Sequence, residues 1–125
     1  MYKITLIVGL PGSGKTFLGK ELESQGAYLI DDLNMIGLSI LREAMHHYKH
    51  IVVTDVFLCR SKERESAKKF LAEREIEWIF FENNPEKCLK NVLHRNDGRK
   101  VENLIKQLSQ EYTIDEGIIP RIIYQ

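Results

Sequence analysis

The stretch GLPGSGKT, Gly9 to Thr16, follows directly on the apolar run KITLIV and leads into a segment of helical period. Gly9, Gly14, Lys15 and Thr16 match the spacing G-x-x-x-x-G-K-[ST], and a strand before that string with a helix after it is the setting that gives it physical meaning. Glycines at positions 9, 12 and 14 let the backbone turn with its N–H groups facing inward, and the helix that follows adds its positive end, so the loop is shaped to wrap an anion. Lys15 is placed to reach the outer phosphates of a nucleotide, and the Thr16 hydroxyl to ligate magnesium. Gly9, Gly12, Ser13, Gly14, Lys15 and Thr16 are therefore the candidate nucleotide-binding residues.

Outward from the loop, five short apolar runs alternate with segments of helical spacing: KITLIV, AYLI, HIVVT, EWIFF and a final IIPRIIY. They are rich in branched and aromatic residues and lack polar alternation, which reads as strands buried on both faces. Between them, Leu33, Ile36, Gly37, Ile40, Leu41, Ala44 and Tyr48 fall on one helical face, and Val101, Leu104, Ile105, Leu108 and Tyr112 repeat the pattern. In NNPEKCLKNVL, Asn84 is placed as an N-cap, Pro85 suits the first helical position and Glu86 the positive end of the dipole, with Leu89, Val92 and Leu93 as the buried stripe. The charged stretch RSKERESAKKFLAERE, with Ala67, Phe70 and Leu71 on one side, reads as a solvated amphipathic helix. Alternating strands and helices predict an α/β fold with a parallel sheet covered on both sides. Pro120 cannot donate to a ladder, so the last strand is expected at an edge.

Three further positions bear on chemistry. Asp55 ends the third apolar run, at the carboxyl edge of the sheet, where an acid can hold magnesium or one of its waters. Asp31 and Asp32 follow the second run on the same rim; Asp32 stands where the next helix begins and reads as its cap, which leaves Asp31 as the candidate general base. Arg95 and Arg99 flank the Asn-Asp-Gly turn between two helices, where arginines can fold over phosphates and stabilise charge on a transferred group. His46, His47 and His50 sit at a helix end and are assigned no site.

Composition narrows the classes. With 125 residues and 18 basic against 18 acidic side chains, one compact domain over 1–125 is expected, and the tight non-specific grip on duplex nucleic acid that comes from neutralising many phosphates is disfavoured. Two distant cysteines, Cys59 and Cys88, make no disulfide framework, so a reducing cytoplasm is the expected setting. The apolar stretch ITLIVGL is too short for a bilayer span and carries no cleavage-site pattern, so no membrane association is expected.

With these residues in hand, the chain resembles the kinase domain of bacteriophage-type polynucleotide 5′-kinases and, more broadly, the P-loop kinase group that includes zeta toxins and small-metabolite kinases. The resemblance runs over nearly the whole chain. IVGLPGSGKT is similar to the family's phosphate loop, Asp31 in IDDLN falls at its general base, Asp55 in VVTDVFL at its acid after the third strand, and Arg95 and Arg99 in HRNDGRKV at its lid arginines. It implies a three-layer P-loop fold with a five-stranded parallel sheet, a short helical-hairpin lid over about 85–112, and ATP and Mg2+ as donor and metal. The departure is Asn34, where the family carries an arginine that holds the substrate's phosphate. The expected activity is phosphoryl transfer to a hydroxyl, first of all a polynucleotide 5′-OH. The alternatives are a nucleoside, sugar or other small metabolite as acceptor, or a non-catalytic module that uses a nucleotide to order its lid.

The loop reading predicts that Lys15→Ala removes nearly all nucleotide binding while the protein stays folded. Calorimetry with a non-hydrolysable ATP analogue beside circular dichroism checks it, and unchanged affinity would reject the assignment.

Overall fold

In a computed structural model, residues 3–31, 38–71, 75–95 and 101–123 are described. Four parallel strands, β1 (Lys3–Val8), β2 (Tyr28–Asp31), β3 (His50–Thr54) and β4 (Glu75–Phe80), form one sheet in the order β2-β3-β1-β4. The helices are α1 (Lys15–Ser24), α2 (Leu38–Met45), α3 (Ser61–Phe70), α4 (Pro85–Arg95) and α5 (Glu102–Glu111), with a 3-10 turn at Val56–Cys59 after β3. Each strand returns to the same edge through a helix, so the carboxyl ends of β1, β2 and β3 meet on one rim.

Position in the sheet decides burial. The central strands β1 and β3 bury Ile4, Leu6, Ile7, Val8, Ile51 and Val53 almost completely, as their apolar runs predict. Strand β4 does not follow: Glu75 and Glu77 are exposed while Ile76, Trp78 and Ile79 are half-buried, because β4 has only β1 as a full-length neighbour. The expected fifth strand is reduced to a single parallel bridge, Phe81 to Arg121. Arg121 N donates to Phe80 O at 2.7 Å and Glu82 N to Arg121 O at 2.8 Å. The ladder goes no further, since Ile123 N donates to the Glu82 side chain, Oε1 at 3.3 Å, and Ile119 and Ile122 project into solvent. The sheet therefore has four strands, not five.

Two helix readings also change. Helix α2 buries Leu41, Ala44 and Met45, whereas Ile40 is exposed, and Tyr48 lies past the helix end, stacked on Tyr28 at 4.3 Å between ring centroids. Leu33, Ile36 and Gly37 fall outside the described residues. In α4 the cap is as read, with Lys87 N donating to Asn84 Oδ1 at 3.1 Å, but the buried residues are Cys88 and Val92 while Leu93 faces solvent. The stripe is turned by one residue because this helix packs on the loop at Gly12 as well as on the core.

The charged segment 60–75 hides a core residue. Arg64 on α3 is 1% exposed and donates to Leu58 O, Cys59 O and Thr113 O at 2.7 to 2.9 Å, to Thr113 Oγ1 at 3.0 Å, and to Asp115 Oδ1 at 3.3 Å. Its guanidinium also lies 5.3 Å from the centre of the Phe80 ring. One side chain thus ties the 3-10 turn after β3 to the segment that follows α5, through a planar fork that lysine cannot reproduce.

Arg64→Met should lower unfolding free energy by about 3 kcal/mol, since it strands three carbonyls and a carboxylate, and Arg64→Lys should recover little of it. Urea titration followed by circular dichroism measures both; a loss under 1 kcal/mol would show that the bonds are replaceable by water.

Candidate active site

The loop hangs from the end of β1, the most buried strand, and feeds α1. Gly14 is the N-cap of α1 at φ 100°, with no side chain to engage the first-turn amides. Those amides and the cap border an open cavity of about 360 Å³ whose wall includes Gly14, Lys15, Thr16, Asp31, Asn91 and Arg95. An uncapped helix N-terminus facing a polar cavity favours an anion. Lys15 is drawn in with the loop: it is 7% exposed, and Nζ donates to Leu10 O at 3.4 Å.

Strand register places the first carboxylate. Asp31, last residue of β2, pairs with Thr54, last residue of β3, and Thr54 Oγ1 donates to Asp31 Oδ1. From the other side Thr16 Oγ1 donates to the same carboxylate, at 3.3 Å to Oδ1 and 3.5 Å to Oδ2. The predicted base and the predicted metal hydroxyl are thus neighbours across the cavity wall. Hard oxygens of this kind suit Mg2+, which takes one or two protein ligands and keeps several waters.

Asp55 stands differently. It is buried beside the rim, and its Oδ1 accepts from Phe57 N at 2.9 Å, capping the 3-10 turn. That turn carries Val56 into the cavity wall.

Arg95 ends α4 at the cavity, exposed, together with His94. Arg99, Asp32 and Asn34 fall outside the described residues. The predicted lid segment packs one face on the core: Cys88, Val92, Ile105 and Leu108 are buried, Asn83 Nδ2 donates to Ser109 O at 2.9 Å, and the Tyr112 hydroxyl donates to Phe81 O. What faces the cavity from α4 is one stripe at helical spacing, Asn91, His94 and Arg95.

Two residues that the sequence reading passed over take part. Asn91 donates from Nδ2 to Gly12 O at 2.9 Å, joining α4 to the loop. Phe17, the residue after Thr16, is 79% exposed and lines the cavity. A signal for Phe17 was available, since it falls on the face of α1 opposite Leu18 and Leu22. Nothing in the chain order links Asn91 to Gly12. The cysteines carry no chemistry here. Burial pushes the Cys59 thiol up to about 12 and the Cys88 thiol up to about 11, so neither forms the thiolate a nucleophile needs. His50 bonds Thr5 Oγ1 at 2.8 Å at the amino end of the sheet, away from the cavity.

No protein-family model matches the chain. Over 122 residues it is 34% identical to the uncharacterized protein R277 of Acanthamoeba polyphaga mimivirus, an alignment that covers 90% of this chain and 87% of that protein. The chain belongs to the same family as R277. It shares its fold with a gluconokinase from Sinorhizobium meliloti 1021, which superposes with a TM-score of 0.67 at 16% identity, over 98% of this chain and 80% of that one. No helix among the described residues is long and apolar enough to cross a membrane.

Gly12 marks where this site tolerates least change. It sits at φ 85°, and a Cβ there would lie 2.4 Å from the backbone oxygen of Cys88 and 2.9 Å from Val92 Cγ2. Gly12→Ala should therefore push α4 off the loop and cost about 2 kcal/mol of stability from strain and lost packing. It should also weaken ATP-analogue binding at least tenfold. Thermal unfolding and calorimetry check the two effects, and a variant that matches the parent in both would mean that the loop has other room to move.

Proposed function

We propose that the chain is a magnesium-dependent, ATP-using kinase that transfers the γ-phosphoryl group to a hydroxyl of a small metabolite. The observation that carries this reading is the meeting of Thr16 Oγ1 and the Asp31 carboxylate at 3.3 Å, on the wall of a cavity bordered by the phosphate loop. A carboxylate fixed by two hydroxyls from different elements is oriented before substrate arrives, and such preorganisation is what positioning a reacting group requires. Asp31 would take the proton of the acceptor hydroxyl as its oxygen bonds to the γ-phosphorus and the bond to the departing ADP breaks. Lys15, Arg95 and Arg99 would hold charge on the outer phosphates. Thr16 would ligate Mg2+ through its oxygen while its O–H continues to donate to the Asp31 carboxylate, and magnesium held there would neutralise phosphate charge. Asp55, engaged at Phe57, would support the site by holding the turn that presents Val56.

Two observations favour a small acceptor over a polynucleotide 5′ end. A gluconokinase shares the fold. Asn34 stands where the resembled polynucleotide kinases carry a phosphate-holding arginine, and an amide supplies neither the charge nor the paired donors of a guanidinium.

A labelled-ATP transfer panel of sugars, sugar acids, polyols, nucleosides and 5′-hydroxyl oligonucleotides tests the reading, with a small hydroxyl compound expected as the best acceptor. Preference for oligonucleotide ends would reject the acceptor class; tight analogue binding with no transfer to any hydroxyl would favour a nucleotide-dependent binding module. Asp31→Asn should lower transfer about a hundredfold with analogue affinity within a few-fold, the range for loss of a general base. Asp55→Asn keeps the capping oxygen and should leave transfer and its magnesium dependence nearly unchanged. If Asp55→Asn proves the more damaging of the two, the assignments exchange.

A further inference from the structure

The contact between Asn91 and Gly12 has no part in the roles assigned so far. Asn91 is half-buried on α4, and its Nδ2 donates to Gly12 O at 2.9 Å. The N–H on the other side of the same peptide unit, Ser13 N, donates to Leu10 O at 3.0 Å. The Gly12–Ser13 peptide is therefore held at both ends, its carbonyl by α4 and its amide by the loop itself.

That restraint matters because of where it sits. A phosphate cradle works only while its N–H groups face the anion and its carbonyls are turned away. Gly12, at φ 85°, has no Cβ to resist rotation, and a flip of this peptide would break the Ser13 N to Leu10 O bond that closes the turn leading into the Gly14–Thr16 amides. Within the loop, Ser13 offers no side-chain restraint: its hydroxyl is buried and makes no hydrogen bond among the described residues. The carbonyl end is secured from outside, by a side chain 79 residues along the chain. The same bond fixes the helix face that carries His94 and Arg95 to the cavity.

We infer that Asn91 is a positioning residue that latches the Gly12–Ser13 peptide in the orientation phosphate binding needs, and so keeps the loop competent before any ligand arrives. This rests on reading the loop as a nucleotide site. Without the latch the competent loop is a smaller fraction of the population, and apparent affinity falls by that fraction.

Asn91→Leu keeps the branched outline of the side chain and removes the donor; Asn91→Asp keeps the shape and replaces the donor with an acceptor. Both should raise the dissociation constant of a non-hydrolysable ATP analogue about fivefold, the scale of one modest hydrogen bond, with Asn91→Asp at least as severe. Amide hydrogen exchange over residues 12–15 of the ligand-free protein should quicken in both, while the urea midpoint stays close to the parent's. A merely structural role would shift the midpoint and leave local exchange in step with it. Unchanged exchange and unchanged affinity in Asn91→Asp overturn the inference, as does a loss of affinity that only tracks global stability. Should the parent protein fail to bind the analogue, the proposed function falls, and the loop exchange of the two variants still decides the latch. Should Asn91→Leu fail to fold, Asn91→Asp alone decides it.

Discussion

Everything at the rim depends on how closely helix α4 lies against the phosphate loop. The helix backbone approaches Gly12 to a distance that excludes even a methyl group, and buried Cys88 and Val92 hold it there from the core side. A loop of glycines has many conformations available, and confining it to one costs entropy that the loop's own bonds do not supply. Packing provides the confinement. Because β1 is buried over most of its length, its end is a fixed point, and the loop is pinned between that point and α4. Arg95 then arrives at the cavity as the last residue of a docked helix.

This changes what a lid can be in this chain. A helical hairpin that swings as a body needs ends that act as hinges, and here both ends are tied. Asn84 caps α4, Asn83 reaches Ser109 O, and the Tyr112 hydroxyl closes on Phe81 O. Beyond α5, Arg64 grips Thr113 and Asp115, and Arg60 pairs with Glu111 at 2.7 Å. Moving α4 and α5 together would break contacts to several elements at once, the buried Tyr112–Phe81 bond among them. One face of the hairpin packs into the core through Cys88, Val92, Ile105 and Leu108, and Arg95 stands exposed at the cavity.

What was legible in the sequence was local. The loop motif, the cap at Asn84 and the parallel α/β order each depend on residues a few positions apart, and each is present as read. What was not legible depends on partners brought in from a distance. Arg64 sits in a segment that looks solvated because five of its neighbours are charged; only the carbonyls of Leu58, Cys59 and Thr113 make burying it tolerable. Strand β4 reads as apolar, yet its place at the edge, with a proline-interrupted segment beyond, leaves Glu75 and Glu77 in water. In the site, the neighbourhood of Asp31 and Thr54 follows from the register of β2 on β3, which no spacing in the sequence encodes.

Charge supplies the remaining step toward the acceptor. The 18 basic and 18 acidic side chains leave no net field to draw a long polyanion from solution, and beyond roughly 8–10 Å salt screens exposed groups. Attraction at the rim must therefore be short-ranged: the amides of the loop, the open end of α1, Lys15 and Arg95. Such a field suits a compact polyanion better than an extended one. It offers little to the second, third and fourth phosphates of a strand running away from the cavity, whose contribution depends on cations spread along a track. A small acceptor needs no such track. Asp31 and the exposed ring of Phe17, both on the cavity wall, offer short-range contacts, which a net charge of zero does not weaken.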